Sequence, residues 1–353
     1  MIIISVLEVN LNAIKNNFAS IKRLLKYNQK LCVVAKANCY GLGAKTVCAN
    51  LNEFADYFAV SSAKEFFEIR MFVTKPIVIL DPVYKDIKRL VKAGAELAIS
   101  NKLSLEKILE EVSKVNEKAK VHIAVNTGMN RFGFKTKQEI ADVVNMIKKS
   151  QNIIISGVFS HYFDAKSQEF ANLQFKKFLE FKQFCLAEFN LNAIYHLASS
   201  DGIVYKNGFD MVRAGMMLYS DKSYQTITLK SRILDIQKLR PNETAGYGAI
   251  FKAKNHSRLA IVGIGYGDGL FRNIVKNGYV LINNRYAKIV AVCMDTILVD
   301  VTDINAKIYD EVVLIGKQKD KQIFICDMAK WCDTIDYEII VRLSDRIFRR
   351  YIE

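Results

Sequence analysis

The sequence predicts an α/β chain: an N-terminal (β/α)8 TIM barrel followed by a C-terminal, mostly antiparallel β domain. Three observations carry this. Eight short apolar runs, almost all followed by amphipathic stretches of helical spacing, fill roughly the first 220 residues. Eight such units is the count of a closed parallel barrel. No Gly-x-Gly-x-x-Gly turn follows the first run, which disfavours the main alternative, an open doubly wound sheet. Beyond about residue 220 the helical period gives way to β-branched runs with turns between them.

From Asn10, a plausible cap, Leu11, Ile14, Phe18, Ile21 and Leu24 recur at helical spacing. The run Leu31–Ala35 is too short for a helix and suits a buried parallel strand. Further strands are expected at Tyr57–Ser61, Ile77–Leu80, Glu96–Ile99, Lys120–Val125, Ile154–Phe159, Ala193–Leu197 and Asp210–Arg213. Helices are expected at Ala63–Phe72, Lys85–Ala93, Ser104–Val112, Lys137–Lys148 and Glu169–Phe189. In the second half, strands are expected at Thr226–Leu234, Arg258–Gly265, Tyr279–Ile282, Ala287–Cys293, Ile297–Val301 and Glu311–Ile315. Short helices near Asp327–Trp331 and Asp336–Leu343 end the pattern. The division places a barrel at residues 1–225 and a β-rich domain at 226–353, with the first residues packing against the latter.

The 353 residues are 51% hydrophobic and 25% charged, a globular composition with ample core. The odd figure is a formal charge of +15, from 51 Lys and Arg against 36 Asp and Glu. Such an excess suits nucleic acid, an anionic membrane or an anionic ligand. The lysines, however, spread along helices as solvated faces without interleaved aromatics, so a nucleic-acid partner is not expected. No apolar stretch reaches the ~18–20 residues of a membrane span, and the first residues lack a signal-peptide pattern. Seven cysteines without a Cys-x-x-Cys pair read as reduced thiols, and four histidines without companions at ligand spacing argue against a metal. A cytoplasmic location is expected.

Active sites of such barrels lie at the C-terminal ends of the strands. Lys36 closes the first strand, Arg131 follows the fifth and His161 the sixth. His196 with Ser199 and Ser200 ends the seventh, and Arg213, Gly215 and Met216 end the eighth. A lysine there either snorkels outward or sits in a partly desolvated pocket. Desolvation or a nearby cation lowers its pKa, making it a base and a nucleophile toward a carbonyl cofactor such as pyridoxal phosphate. The later glycines and Ser200 suit a phosphate cradle, although each glycine alone is more often a plain turn residue.

The segment Val33-Val34-Ala35-Lys36-Ala37-Asn38-Cys39-Tyr40-Gly41-Leu42-Gly43 resembles the pyridoxal-phosphate signature of the bacterial alanine racemases. The resemblance continues through Asn126–Gly133, Gly157–His161, Met211–Gly215, Ala245–Ala249, Ile264–Gly269, Val292–Asp295 and Tyr337–Ile339, nearly end to end. It implies a homodimer with shared active sites that interconverts L- and D-alanine and supplies D-alanine for peptidoglycan. Lys36 would hold pyridoxal 5′-phosphate and serve as one base; Tyr247 of the partner subunit would be the other. Arg213 would face the pyridine nitrogen with His196 behind it. Tyr40, Ser200, Tyr337 and the backbone of Gly215 and Met216 would hold the phosphate. Arg131 and the backbone N–H of the partner subunit's Met294 would meet the substrate carboxylate. His161 would sit beside Tyr247 and adjust its acidity, and Tyr266 and Asp295 would line the entrance.

The chain departs from the family pattern at a few points. Ala124 stands where a lysine, often carbamylated, is common, and Asn126 replaces the following motif's Asp. A bound anion such as chloride is expected to stand in for the missing charge beside Arg131. Ser199 replaces a usual asparagine, and Ala291 a usual arginine. Two other readings compete. One is racemisation of another small amino acid such as serine. The other is a non-catalytic pyridoxal-phosphate-binding protein, against which the second domain and its Tyr247 argue.

Overall fold

A computed structural model describes residues 4–205, 209–220 and 225–353. The chain forms two compact units: one holds Phe18–Cys39 and Ala44–Met217, the other the chain up to Asn17, Tyr40–Gly43 and Leu218–Glu353. The first strand, β1 (Val6–Asn10), belongs to the latter.

The first unit is a nearly closed barrel of eight parallel strands. These are β2 (Lys30–Val34), β3 (Tyr57–Val60), β4 (Ile77–Pro82), β5 (Ala95–Ile99), β6 (Ala119–Ala124), β7 (Ile153–Phe159), β8 (Ile194–His196) and β9 (Met211–Ala214). Their order is β8-β7-β6-β5-β4-β3-β2-β9. Between β8 and β9 the gap is bridged by Asp210 N donating to Tyr195 O at 2.8 Å and Arg213 N to Ala198 O at 3.0 Å. Every residue of β3 and β5 is buried, as expected when helices cover one face of a sheet and side chains fill the other.

The helices between these strands begin at polar residues in the loops. Ser62 and Ser167 cap Ala63–Arg70 and Gln168–Phe189, while Asn101 and Thr136 form capping boxes for Lys102–Val112 and Lys137–Lys148. The helix expected from Lys85 starts instead at Ile87, because Asp86 adopts a left-handed φ of 58°. A further helix, Ala44–Leu51, buries Ala44, Val47, Cys48 and Leu51 at i, i+3, i+4 and i+7.

The second unit contains β10 (Ile227–Leu239), β11 (Thr244–Ala245), β12 (Phe251–Lys252), β13 (Ser257–Val262), β14 (Tyr279–Ile282) and β15 (Arg285–Val292). It continues with β16 (Ile297–Asp300), β17 (Glu311–Gln318), β18 (Lys321–Ile323) and β19 (Phe348–Ile352). Antiparallel pairing runs β10-β13-β16-β15-β14-β17 and returns from β17 to β10, a closed ring. Leu229, Ile233, Leu281, Ile289 and Val313 are fully buried within this unit. The two-residue turn between β14 and β15 is Asn283-Asn284, with φ of 50° and 63°, the left-handed pair a tight hairpin demands. Outside the ring, β10 pairs antiparallel with β1, and β1 pairs parallel with β19. β1 has no counterpart among the predicted strands. It buries only Leu7 and Val9, too short an alternation to read alone.

Candidate active site

β2 carries Lys36 to the C-terminal rim of the barrel. Ala35 N still donates to Ala59 O at 2.7 Å, so sheet pairing persists to the residue before the lysine. Then the backbone turns left-handed: Ala37, Asn38, Cys39 and Tyr40 have φ of 50°, 55°, 51° and 55°. Such residues cost about 1–2 kcal/mol each when they are not glycine. Bonds from outside the turn offset that cost. Ala37 N donates to Glu65 Oε1 at 2.8 Å and Ala44 N to Asn38 Oδ1 at 2.7 Å. The other oxygen of Glu65 accepts from Ser61 N and Ser61 Oγ, both at 2.8 Å. Burial pushes the Lys36 amine below its usual range, and the cations of Arg131 and Arg213 push it further, against Asp81 and Glu65.

Arg213, on β9, is 3% exposed and almost fully bonded. Its Nη1 donates to His196 Nδ1 at 2.6 Å and to His196 O at 3.2 Å. Its Nη2 donates to Ser160 O at 2.7 Å and to His161 Nδ1 at 3.2 Å. Behind His196 the contacts continue: His196 Nε2 lies 2.9 Å from His122 Nδ1, and His122 Nε2 lies 2.7 Å from Glu96 Oε2. Burial, then the charge of Arg213, holds His196 far below its usual range. Burial followed by Arg213, Arg131 and Lys36 pushes His161 down to about 3. His161 is therefore neutral near pH 7; with Nδ1 accepting from Arg213, its proton sits on Nε2.

Two further side chains fix the loops of this rim. Ser200 Oγ accepts from Gly215 N at 3.1 Å and Met217 N at 3.3 Å, so its own O–H is left to donate. The amide beside Gly215 on this hydroxyl is thus that of Met217, while Met216 lies buried next to it. Gln174, fully buried on the helix after β7, donates to Thr127 Oγ1 at 2.8 Å and His161 O at 2.9 Å. Its carbonyl accepts from Phe163 N at 2.9 Å. Arg131 is exposed with its guanidinium 5.8 Å from the Phe132 ring, and Ala124 is buried. Asn126 spends its carbonyl on Gly128 N and Asn130 N.

Lys36, Arg131, His161, His196, Ser200, Arg213, Gly215 and Met216 thus fall in the first unit, and Lys36, Arg131, His161 and Arg213 act on one another's charge. The remaining residues expected at the site, Tyr40, Tyr247, Tyr266, Met294, Asp295 and Tyr337, fall in the second. There the Tyr40 ring lies 5.2 Å from Tyr219 and 6.0 Å from Tyr337. Arg349 donates to Gly41 O at 3.2 Å and to Leu343 O and Ile347 O, both at 2.8 Å, which fixes the segment after Tyr40. Tyr247 begins a short helical turn and is 68% exposed. Tyr266 N donates to Cys293 O at 3.0 Å and Gly267 N to Met294 O at 2.8 Å, joining the Tyr266 and Met294 loops. Arg346 adds a bond to Asp295 at 2.7 Å and a contact with Asp268 at 3.5 Å.

Glu65, Glu96, His122, Gln174, Arg346 and Arg349 were beyond sequence reasoning. Only Glu65 had a local signal, as the third residue after the helix cap Ser62.

Comparison with known proteins gives the family. The description "Alanine racemase, N-terminal domain" matches residues 9–223, and "Alanine racemase, C-terminal domain" matches residues 226–351. The chain is similar to the alanine racemase of Thermodesulfovibrio yellowstonii, 32% identical over 98% of this chain and 97% of that protein. It is also similar to alanine racemase 2 of Bacillus subtilis, 31% identical over 98% and 94%. Among solved structures, alanine racemase from Clostridium difficile 630 aligns with a TM-score of 0.91 at 31% identity, covering 100% of this chain and 96% of that one. Alanine racemase from Bacillus anthracis with bound L-Ala-P aligns with a TM-score of 0.92 at 25% identity, covering 100% and 96%. With both halves matched and the lysine rim in place, the chain belongs to the pyridoxal-phosphate-dependent alanine racemase family.

Proposed function

We propose that the protein interconverts L-alanine and D-alanine by a two-base exchange of the α-proton, with pyridoxal 5′-phosphate held on Lys36, and so supplies D-alanine for peptidoglycan. The observation that carries this is the Lys36 amine, pushed down by burial and by Arg131 and Arg213 on the same rim. The rim suits the cofactor: an amine able to bond a carbonyl, a buried guanidinium whose Nε–H has no acceptor among the described residues, and a Ser200 hydroxyl free to donate. The chemistry supplied by bound pyridoxal phosphate is delocalisation of the electron pair left at the α-carbon.

Inversion needs acid–base groups on both faces of that carbon. Lys36 serves one face and Tyr247 of the partner subunit the other, within a cytoplasmic homodimer whose active sites are shared. The exposure of Tyr247 supports this, since its phenol is available to a second copy. His161 directs its Nε2–H toward that tyrosine. Arg131 and the backbone N–H of the partner subunit's Met294 hold the substrate carboxylate. Tyr40, Ser200, Tyr337, Gly215 and Met216 hold the phosphate, and Tyr266 and Asp295 line the entrance. Arginine does not readily give up a proton, so Arg213 opposite the pyridine nitrogen would keep it unprotonated and would discourage side reactions such as transamination. With Ala124 neutral, chloride beside Arg131 orients the guanidinium; lowering chloride should then raise KM for alanine. In this reading residues 1–225 form the barrel domain, its first residues packing with the β-rich domain of 226–353.

A panel of L-amino acids assayed for D-product tests the reading, with L-alanine expected as the best substrate. Borohydride should fix the cofactor on Lys36, and label elsewhere would defeat the assignment. Tyr247→Phe should lose about 10²–10⁴-fold in racemisation while still binding the cofactor.

A further inference from the structure

We propose that Glu96 is a positioning residue for Arg213, acting through two neutral imidazoles that determine which nitrogen of His196 is free to accept. The proposal rests on the reading of Arg213 as the group that faces the cofactor's ring nitrogen.

Four side chains from four barrel strands form one line: Glu96 on β5, His122 on β6, His196 on β8 and Arg213 on β9. They are 2%, 0%, 0% and 3% exposed. The three contacts along the line are 2.7, 2.9 and 2.6 Å. Their polarity has a single solution. Arginine only donates, so His196 Nδ1 must accept and its proton sits on Nε2. That proton points at His122 Nδ1, which must be bare, so the His122 proton also sits on Nε2. It meets the Glu96 carboxylate, which accepts. An imidazolium at His122 would leave His196 with no proton to share, so both rings are neutral.

The line therefore carries a cation at one end and an anion at the other, inside a barrel where either charge alone is costly. Around Glu96, Lys120 Nζ lies 4.0 Å from Oε1 at the surface side, and the Tyr57 phenol faces the carboxylate from β3. Cys32, fully buried, pairs in register with Arg213 and feels the charge at both ends of the line. The space for the line is specific. A Cβ at Gly157 would lie 2.2 Å from His122 Nδ1, so β7 must carry glycine there. The Phe159 ring stacks on His196 with centroids 5.2 Å apart and planes at 12°, which holds the imidazole's plane.

The consequence falls on Arg213. Its two terminal nitrogens are committed to His196, Ser160 and His161, so Nε–H is the donor left to aim at a ligand. Were the line to reverse, His196 would present Nδ1–H to Arg213 Nη1, two donors 2.6 Å apart. The guanidinium would then swing away and Nε–H would lose its aim.

Glu96→Gln tests this. The amide can still accept from His122, but it lacks the charge and can rotate to donate, which permits reversal. The folded variant should bind pyridoxal phosphate about tenfold more weakly, the loss of one charge-assisted hydrogen bond. Its visible absorption band and the pH dependence of that band should also shift. His122→Leu should do the same. His122→Gln, which can accept from His196 and donate to Glu96, should restore both. A folded Glu96→Gln protein with wild-type band, pH dependence and affinity would overturn the proposal. Should the variants not fold, nitrogen-15 histidine spectra of the unaltered protein give the tautomers directly. Nε2–H at His122 and His196 is expected; Nδ1–H or a protonated ring at either overturns it. Wild-type protein that binds no pyridoxal phosphate would instead overturn the reading of Arg213, a result distinct from a variant that binds normally.

Discussion

At the scale of single residues, the rim is assembled against the protein's own stability. Lys36 has a lowered pKa, so between that lowered value and 10.5 the unfolded chain binds more protons than the folded one. Stability of the unliganded protein therefore rises with pH across that window. Lys36→Met should melt higher than wild type near pH 7, with the gap closing as pH approaches 10.5, and should lose racemisation. Thermal melts against pH check this; a methionine variant that melts lower at every pH contradicts it. His161, pushed from 6.5 to about 3, gives a slope of the same sign at acid pH. Its contribution is present above 6.5 and is lost as pH falls toward 3, so His161→Gln should flatten the acid limb of the stability curve. Lys36, Arg131, His161, His196 and Arg213 could be picked out in the sequence because each lies at the end of a recognisable strand or in the loop that follows it. Glu96 and His122 could not. They matter because β5, β6 and β8 lie in one barrel, and no spacing along the chain reports that adjacency.

At the scale of elements, two glycines show how backbone and site depend on each other. Gly41 continues the left-handed turn at φ 82°, and a Cβ there would lie 2.7 Å from Ile340 O. Gly157 on β7 leaves room for the His122 ring of β6. Gly157→Ala should cost roughly 1–3 kcal/mol by overpacking. It should also shift the cofactor's absorption as Glu96→Gln does, which chemical denaturation and a visible spectrum would measure together. Loss of stability with an unchanged spectrum would separate Gly157 from the line. The barrel strands were readable because burial on both faces leaves near-continuous apolar runs. The Lys36–Tyr40 turn was unreadable, since Ala37, Cys39 and Tyr40 have no intrinsic preference for φ near 50°. Glu65 and Asn38 hold them there. Helix Ala44–Leu51 had a legible apolar spacing, hidden beside the glycines that precede it.

At the scale of the whole molecule, the shared-site reading makes a prediction about mixtures. Lys36→Ala and Tyr247→Phe subunits should each be nearly inactive alone. Refolded together in equal amounts, they should regain activity at about a quarter of the sites, because half the dimers are mixed and each mixed dimer has one intact pair. Activity no greater than the sum of the parents would contradict a shared site, and sedimentation of the unaltered protein should give a dimer. The sequence could suggest the two-part organisation from its change of texture near residue 220. It could suggest that the first residues pack with the later domain, but it offered no strand at Val6–Asn10 pairing with strands made long after it. Val9 pairs with Ile227 on one side and Tyr351 on the other. At ~5–20 residues per second, β1 waits about 10–40 s on the ribosome for its first partner strand. Its second partner, Phe348–Ile352, is made later still. Until then Leu7 and Val9 must be shielded by something else, so synthesis in the presence of chaperones should decide yield more than the stability of either unit does.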